Sequence, residues 1–216
     1  MSDGVHAALG LRAQKGGAVA VCLAVDRGEP RVLLSVFLDT SAEGDRLALE
    51  PYRVAAEMAH GEAGSAEAAA AVAEGRRRQA ELAARGLRDI GRWLDDAGHG
   101  TMVAALLVNR ASWITDLLEY SLAWPEHVPV AEALAVRDAL RSGLAECAID
   151  CVELDEKSLF DRAAEALGLP VVEIEARLNG LGAAAGKPWR KEQKLACLAA
   201  WVAVAGGGSS REPSRP

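Results

Sequence analysis

Basic residues and glycines follow one another closely near the start of the chain, in the segment HAALGLRAQKGGAVAV. Arg12 and Lys15 precede the pair Gly16 and Gly17, which lies between two apolar runs. Glycine-rich turns expose backbone N–H groups, and such groups bind phosphate oxygens. The segment therefore has the residue types of an anion or phosphate site. The alternative is a set of solvated surface charges, because exposed Lys and Arg are the ordinary case.

His127 and Glu132 are a second pair with chemical potential, in the segment EHVPVAEAL at a predicted junction between a loop and a helix. A histidine and a carboxylate near a helix start can form a pair for general acid–base catalysis. The alternative, which we favour, is that both residues cap the helix or form salt bridges.

Acidic residues follow the last predicted strand in the segment VELDEKSLFDR, at Glu153, Asp155, Glu156 and Asp161. Such a group can bind a metal or can cap the next helix, where carboxylates favour the positive end of the helix dipole. We favour capping. The sequence contains no phosphate-loop motif, no intact dinucleotide fingerprint and no nucleophile elbow, so it predicts no cofactor.

Arginines are concentrated in the segment GRRRQAELAARGLRDIGRW. On a helical projection four of them lie opposite an apolar stripe of Ala83, Leu87, Ile90 and Leu94. These four are Arg78, Arg85, Arg88 and Arg92. These arginines form either a surface that binds a nucleic-acid backbone or a solvated helix face. We favour the solvated face, because acidic residues are interspersed among the arginines. That side also has no aromatic residues on which bases could stack.

The elements that must position these residues are predicted from apolar runs and turn signals. Three short β-branched runs, Val5 to Leu11, Ala18 to Val25 and Arg31 to Leu38, predict an antiparallel meander. The apolar run from Thr101 to Val108 predicts a strand buried on both faces, and AIDCVELD predicts a fifth strand. The remaining segments are helical. The order β-β-β-α-β-α-β-α predicts an α/β fold, with a mixed five-stranded sheet, helices on both faces and a helical C-terminal part.

Length and composition limit the class of protein. The 216 residues fit one domain over 1–205, followed by a tail at 206–216 with the composition of a disordered end. A net charge of −7 argues against a general nucleic-acid coat. No apolar stretch is long enough for a membrane span and no signal peptide is recognisable, so we expect a cytoplasmic protein. The cysteines at positions 22, 147, 151 and 197 are then reduced thiols.

Three segments resemble the ribonuclease-H-like superfamily, in particular the branch that contains bacterial Holliday-junction resolvases. ALGLRAQKGGAVAV is similar to the first hairpin of that branch, VAALLVNR to its fourth strand, and KEQKLACLAAWVAVA to its closing helix. The likeness spans about residues 5–205 in the order of the elements. The ending from Pro188 to Trp201 also resembles that of a bacterial family with no assigned activity.

The resemblance implies a metal site, and the sequence departs from it at each position. The first strand carries Arg12 where the superfamily has a carboxylate, and the fourth strand ends in Asn109 and Arg110. On the closing helix, Lys191 and Lys194 stand where carboxylates are expected. A cleft built from these residues would repel Mg²⁺ and attract anions. If the side chains of Arg12, Lys191 and Lys194 converge, we expect the site to bind an anionic small molecule or a nucleotide.

Three hypotheses for function follow. The first, which we favour, is a non-nucleolytic binding or regulatory protein, with Arg12, Lys15, Gly16, Gly17, Lys191 and Lys194 as ligand residues and no metal. The second is a metal-dependent nuclease with relocated carboxylates such as Asp26, Asp39, Glu153 and Asp155. The third is a structural or interaction protein that acts through its helical half, where exposed pairs among Trp113, Trp124, Trp189 and Trp201 would favour a homodimer.

Overall fold

One mixed sheet forms the centre of the protein. The structure is a computed structural model that describes residues 7–59, 65–99, 102–109 and 116–207. The strands are β1 (Ala7–Gln14), β2 (Gly17–Asp26), β3 (Glu29–Asp39), β4 (Met102–Val108) and β5 (Cys151–Asp155). They lie in the order β3-β2-β1-β4-β5, with β1, β2 and β3 antiparallel and β1, β4 and β5 parallel. The predicted meander and the two parallel strands are confirmed.

Two tight turns connect the meander. Lys15 and Gly16 join β1 to β2, and Arg27 and Gly28 join β2 to β3. Arg27 and Gly28 both have positive φ angles, of 52° and 85°, the backbone conformation of a two-residue turn that matches the twist of a hairpin. The predicted first strand ended too early. β1 continues three residues beyond Leu11, and Arg12 therefore lies inside the strand.

Helices cover both faces of the sheet, as predicted. They are α1 (Arg46–Leu49), α2 (Pro51–Ala59), α3 (Ser65–Asp96), α4 (Leu117–Ala123), α5 (Val128–Glu146), α6 (Leu159–Leu167), α7 (Val171–Ala185) and α8 (Lys191–Gly207). One core cluster packs α3 and α5 against alternate residues of β1, such as Leu9 and Leu11. A second cluster packs α6, α7 and α8 against the opposite face, which includes Ala8. The strict alternation along β1 separates the two layers.

Helix α8 lies directly on β1, the strand that carries Arg12. A Cβ atom at Gly10 would lie 1.8 Å from the carbonyl oxygen of Ala196, so only glycine permits this approach. The alanines of α8 keep its packing surface narrow, and they are buried against the sheet. Arg12 and Lys194 each lie two residues from this contact point, one on the strand and one on the helix.

Some predicted features fall outside the described residues. Within the segment predicted as helical, residues 60–64 do so, between the end of α2 at Ala59 and the start of α3 at Ser65. The predicted tail does so from residue 208, and α8 continues two residues past the predicted boundary at 205. In the part of the chain that the structure describes, no helix combines the length and the apolar character that crossing a bilayer requires.

Candidate functional site

Arg12 makes a two-point ion pair with Glu156, the first residue after β5. The Nε atom and one terminal nitrogen of Arg12 donate to the two carboxylate oxygens of Glu156, each over 3.0 Å. The two side chains are only 22% and 28% exposed. Charge-assisted pairs of this geometry are strong and directional. The first-strand position therefore holds a fixed cation, and Leu107 of β4 lies beside it in the sheet.

Three further charged residues on α5 lie beside this pair. Arg137 is 8% exposed, and its charge interacts with those of Arg141, Glu156, Arg12 and Asp138. Its Nε atom is enclosed and has no hydrogen-bond partner among the described residues. Burial lowers the pKa of Arg137, and the neighbouring guanidinium of Arg141 adds to this effect. The site therefore contains a buried cation that no described group pairs directly.

Arg141, one helical turn further along α5, is fully paired. It donates to Glu153 on β5 and to Asp138 on its own helix. Asp138 also accepts a hydrogen bond of 2.8 Å from Arg76 on α3. A chain of ion pairs thus connects α3, α5 and β5 beside the Arg12 pair. Arg137 differs from Arg141 in two ways: it is the more buried of these two arginines on α5, and it has no direct hydrogen-bond partner among the described residues.

The predicted basic residues have separate partners. Lys15 donates to Glu50 over 2.6 Å, and Lys194 donates to Asn179 on α7 over 2.7 Å. Lys191, at the first position of α8, is exposed. The structure thus directs Arg12, Lys15 and Lys194 toward three different acceptors. It brings Arg12 together with Glu156 and Arg137 instead.

Gly16 and Gly17 serve the first hairpin. Gly16 has a φ of 78°, and its carbonyl oxygen accepts the N–H of Thr40 over 2.8 Å. A Cβ atom at Gly17 would lie 2.1 Å from the carbonyl oxygen of Leu38. Gly16 is therefore explained by its left-handed backbone conformation, and Gly17 by the lack of space for a side chain. Asn109 is exposed after β4, and Arg110 lies outside the described residues.

His127 and Glu132 do not act on each other in this structure. The His127 ring stacks on Tyr120, with ring centres 4.4 Å apart and planes 8° apart. One oxygen of Glu132 accepts the backbone N–H groups of Tyr52 and Arg53, each over 2.9 Å. Glu132 therefore caps the first turn of α2, a helix distant in sequence, whereas the sequence suggested the start of its own helix.

The Glu132 carboxyl is buried, and this changes its acidity. Burial raises its pKa to about 7, and the two N–H donors of α2 offset only part of that effect. The second carboxyl oxygen is enclosed without a partner among the described groups. Glu132 is therefore a structural carboxyl that titrates near neutral pH.

The metal site implied by the superfamily does not fit the residues present. A guanidinium at the first-strand position repels a divalent cation, since two unit charges ~4 Å apart interact at about 4 kcal/mol in a partly screened site. Asp26 and Asp39 lie at opposite ends of the β2–β3 ladder. Asp39 and Asp155 are separated by four strand spacings, roughly 19 Å. Among the residues described, no group of three or more His, Cys, Asp or Glu side chains is placed to hold a metal ion.

The arginine face of α3 is largely neutralised. Arg78 pairs with Glu74 and Asp45, Arg88 with Glu146, and Arg92 with Asp89. Beside this face lies an open cavity of about 680 Å³, between α3 and the connection from α5 to β5. Arginines line its edge, and Leu87, Leu94, Met102 and Ile149 contribute apolar surface. The pairing agrees with the solvated interpretation of the face.

The tryptophans considered for a homodimer interface have different environments. Trp201 is buried in the core, and the indole N–H of Trp189 donates to the carbonyl of Leu178 over 2.8 Å. Trp124 is 55% exposed, and Trp113 lies outside the described residues. Trp189 and Trp201 therefore pack within the fold and do not form an exposed pair.

Sequence reasoning missed two residues of the site. The sequence assigns Glu156 to a helix-capping group and gives no reason to select Arg137. The sequence contains a weak signal for Glu156, because this residue directly follows β5. The strands β1, β4 and β5 are parallel, so their carboxyl ends, and with them Arg12 and Glu156, lie at the same edge of the sheet. For Arg137 the sequence offered none, since its burial depends on how α5 packs.

Comparison with known proteins identifies the fold. No protein-family model and no curated protein matches this sequence. The structure of Thermus thermophilus RuvC matches with a TM-score of 0.53 and 9% identity, over 94% of this chain and 95% of that one. The structure of T. thermophilus RuvC in complex with Holliday junction substrate gives a TM-score of 0.53 and 9% identity, over 95% and 96% of the two chains.

A third match is weaker. The yeast mitochondrial Holliday junction resolvase Ydc2 gives a TM-score of 0.41 and 12% identity, over 93% of this chain and 82% of that one. The likeness to RuvC confirms the predicted ribonuclease-H-like fold of the resolvase type. At such low identity it extends to the fold alone.

Proposed function

We propose that this protein is a non-nucleolytic binding or regulatory protein, and that its resolvase-like fold recognises an anionic, phosphate-bearing ligand near Arg12. The observation that carries the proposal is the guanidinium of Arg12 on β1, held by Glu156 at 3.0 Å. A planar guanidinium presents paired donors that match phosphate oxygens as well as carboxylate oxygens. The same position cannot contribute to a metal centre.

The wider surroundings of Arg12 support an anion rather than a cation. Arg137 and Arg141 lie on the neighbouring helix, and Lys191 and Lys194 begin the helix that packs on β1. We keep Lys15, Gly16 and Gly17 as secondary ligand candidates at the adjacent turn. The positive charge of these residues would favour a bound phosphate over a bound cation.

The test is calorimetric titration with three phosphate probes: inorganic pyrophosphate, ATP without metal, and a four-way DNA junction. The variant is Arg12→Gln, and its matched control is Arg162→Gln, which removes the same charge from an exposed position on α6. We expect Arg12→Gln to weaken binding at least tenfold, and the control to stay within twofold. Equal affinity of wild type and Arg12→Gln, or no binding of any probe, would overturn the proposal.

The same titrations separate the alternatives. T. thermophilus RuvC has been solved with a Holliday junction substrate, so the junction is the nucleic-acid arm of the test. Selective binding of pyrophosphate and ATP favours a small ligand, whereas selective binding of the junction favours DNA. Tight binding of Mg²⁺ or Mn²⁺ together with junction cleavage would restore the nuclease hypothesis. A dimer in solution without any phosphate binding would favour the interaction hypothesis.

We further propose a cytoplasmic location, because the four cysteines at positions 22, 147, 151 and 197 are all free. Free thiols persist in a reducing compartment.

A further inference from the structure

Arg137 is a largely buried arginine for which the described part of the fold supplies no direct hydrogen-bond partner. It is 8% exposed, and its Nε atom is buried without an acceptor. Within the described ranges it makes no hydrogen bond or ion pair of its own. The charges of Arg141 and Arg12 repel it, whereas those of Glu156 and Asp138 attract it. An enclosed, unpaired cation destabilises a fold. Its presence calls for an anion that the chain itself does not supply in full.

Glu156 is the anion nearest to filling this role, and it serves two cations. Both of its carboxylate oxygens accept hydrogen bonds from Arg12, and its charge also attracts Arg137. Arg141 pairs with Glu153 and with Asp138, and Asp138 is shared with Arg76. The group formed by Arg12, Arg137 and Glu156 is therefore short of negative charge.

We propose that Arg12 and Arg137 together bind a terminal phosphate group, and that Glu156 holds the place of that phosphate until the ligand displaces it. This inference rests on the proposed function and deepens it, because it adds Arg137 and names the chemical class of the ligand. Displacement frees the Arg12 donors for the phosphate, and the phosphate also reaches Arg137. Glu156 then becomes a solvated carboxylate.

The charge balance selects a phosphate monoester over a diester. A monoester carries about −1.5 to −2 charges near pH 7 and three free oxygens, which can serve two guanidinium groups. A diester has one charge and two free oxygens, as a carboxylate does, so it gains little by displacing Glu156. The site therefore favours a mononucleotide or another phosphorylated small molecule over the backbone of DNA.

The experiment compares AMP with cyclic AMP, which share base and ribose and differ in the ester type. We expect AMP to bind at least tenfold more tightly to wild type. Glu156→Gln removes the internal competitor and should tighten AMP binding about tenfold, the effect of losing one charge-assisted bond. The matched control is Glu153→Gln, which removes the same charge from a neighbouring pair, that of Arg141, and leaves Arg141 paired with Asp138. It should leave the affinity for AMP within twofold.

Arg137→Met supplies a second readout that does not depend on affinity. Because methionine fills the space without a buried charge, we expect this variant to melt at the wild-type temperature or above it, and to bind AMP at least tenfold more weakly. A melting temperature lowered by more than about 5 °C would show that Arg137 serves the fold, since that is the change expected for about 1–2 kcal/mol.

The outcomes distinguish the two proposals. If Arg12→Gln abolishes AMP binding while Arg137→Met and Glu156→Gln bind as wild type does, the inference is wrong and the proposed function stands. Equal affinity for AMP and cyclic AMP also contradicts it. If Arg12→Gln binds AMP as tightly as wild type, or wild type binds none, the proposed function fails as well.

Discussion

The buried carboxyl of Glu132 should make the stability of this protein depend on pH in an unusual direction. Its pKa is about 7 in the fold, against an ordinary value of 4.5, because burial disfavours the charged form. A raised pKa means that the stabilising contribution is complete below pH 4.5 and is lost as the pH rises through 7. Ionising this group in the fold therefore costs about 3 kcal/mol of unfolding free energy.

The substitution Glu132→Gln isolates this effect. The amide keeps an oxygen that can accept the N–H groups of Tyr52 and Arg53, and it cannot ionise. We expect the stability of the variant relative to wild type to increase by about 2–3 kcal/mol between pH 5 and pH 8. Urea unfolding at the two pH values measures this difference, in which the titration of all other groups cancels.

An exposed carboxylate provides the control. Glu126 lies in the short turn before α5, and its change to glutamine should alter stability equally at both pH values. A Glu132→Gln effect that is the same at pH 5 and pH 8 would show that burial does not keep this carboxyl neutral. An effect of opposite sign would show that the two N–H donors of α2 outweigh burial, and our ranking of those two forces would be wrong.

Two further outcomes are expected. Gly10→Ala should destabilise the fold by about 3 kcal/mol or more in urea unfolding, since the added Cβ atom would overlap α8. The control Gly180→Ala should be neutral or stabilising, because no atom lies within 4 Å of its added Cβ. Equal effects of the two substitutions would contradict the close contact between Gly10 and α8. An aromatic disulfide reagent should modify the exposed Cys151 well before Cys22 and Cys197, whose burial raises their pKa to about 12. Peptide mass mapping of the native protein reads the order, and early loss of either buried thiol would refute it.

The Gly16 and Gly28 turns show where the sequence was sufficient. Apolar runs with glycine at their junctions specify a hairpin locally, because only a few turn types connect two adjacent strands. The apolar run before Val108 likewise predicted a strand covered on both faces, and the centre of β4 is buried. The resemblance of the first hairpin, the fourth strand and the closing helix to the ribonuclease-H-like superfamily then predicted the fold, and the match to RuvC confirms it.

The partners of the charged side chains at the site could not be predicted from the sequence in the same way. Lys15 and Lys194 share a charge type with Arg12, yet each finds an acceptor on a different element. An ion pair depends on distances of a few ångströms between residues that can be more than a hundred positions apart, as Arg12 and Glu156 are. Charge type alone does not fix such distances.

The sequence by itself determined the order of strands and helices, the α/β class and the presence of a basic residue, Arg12, in the first strand, since each depends on local residue types and spacing. Only the tertiary structure decided that Glu156 neutralises Arg12, that Arg137 is enclosed, and that Glu132 caps α2. The physical reason is that burial and pairing belong to the packing of distant segments. No window of the chain contains that information.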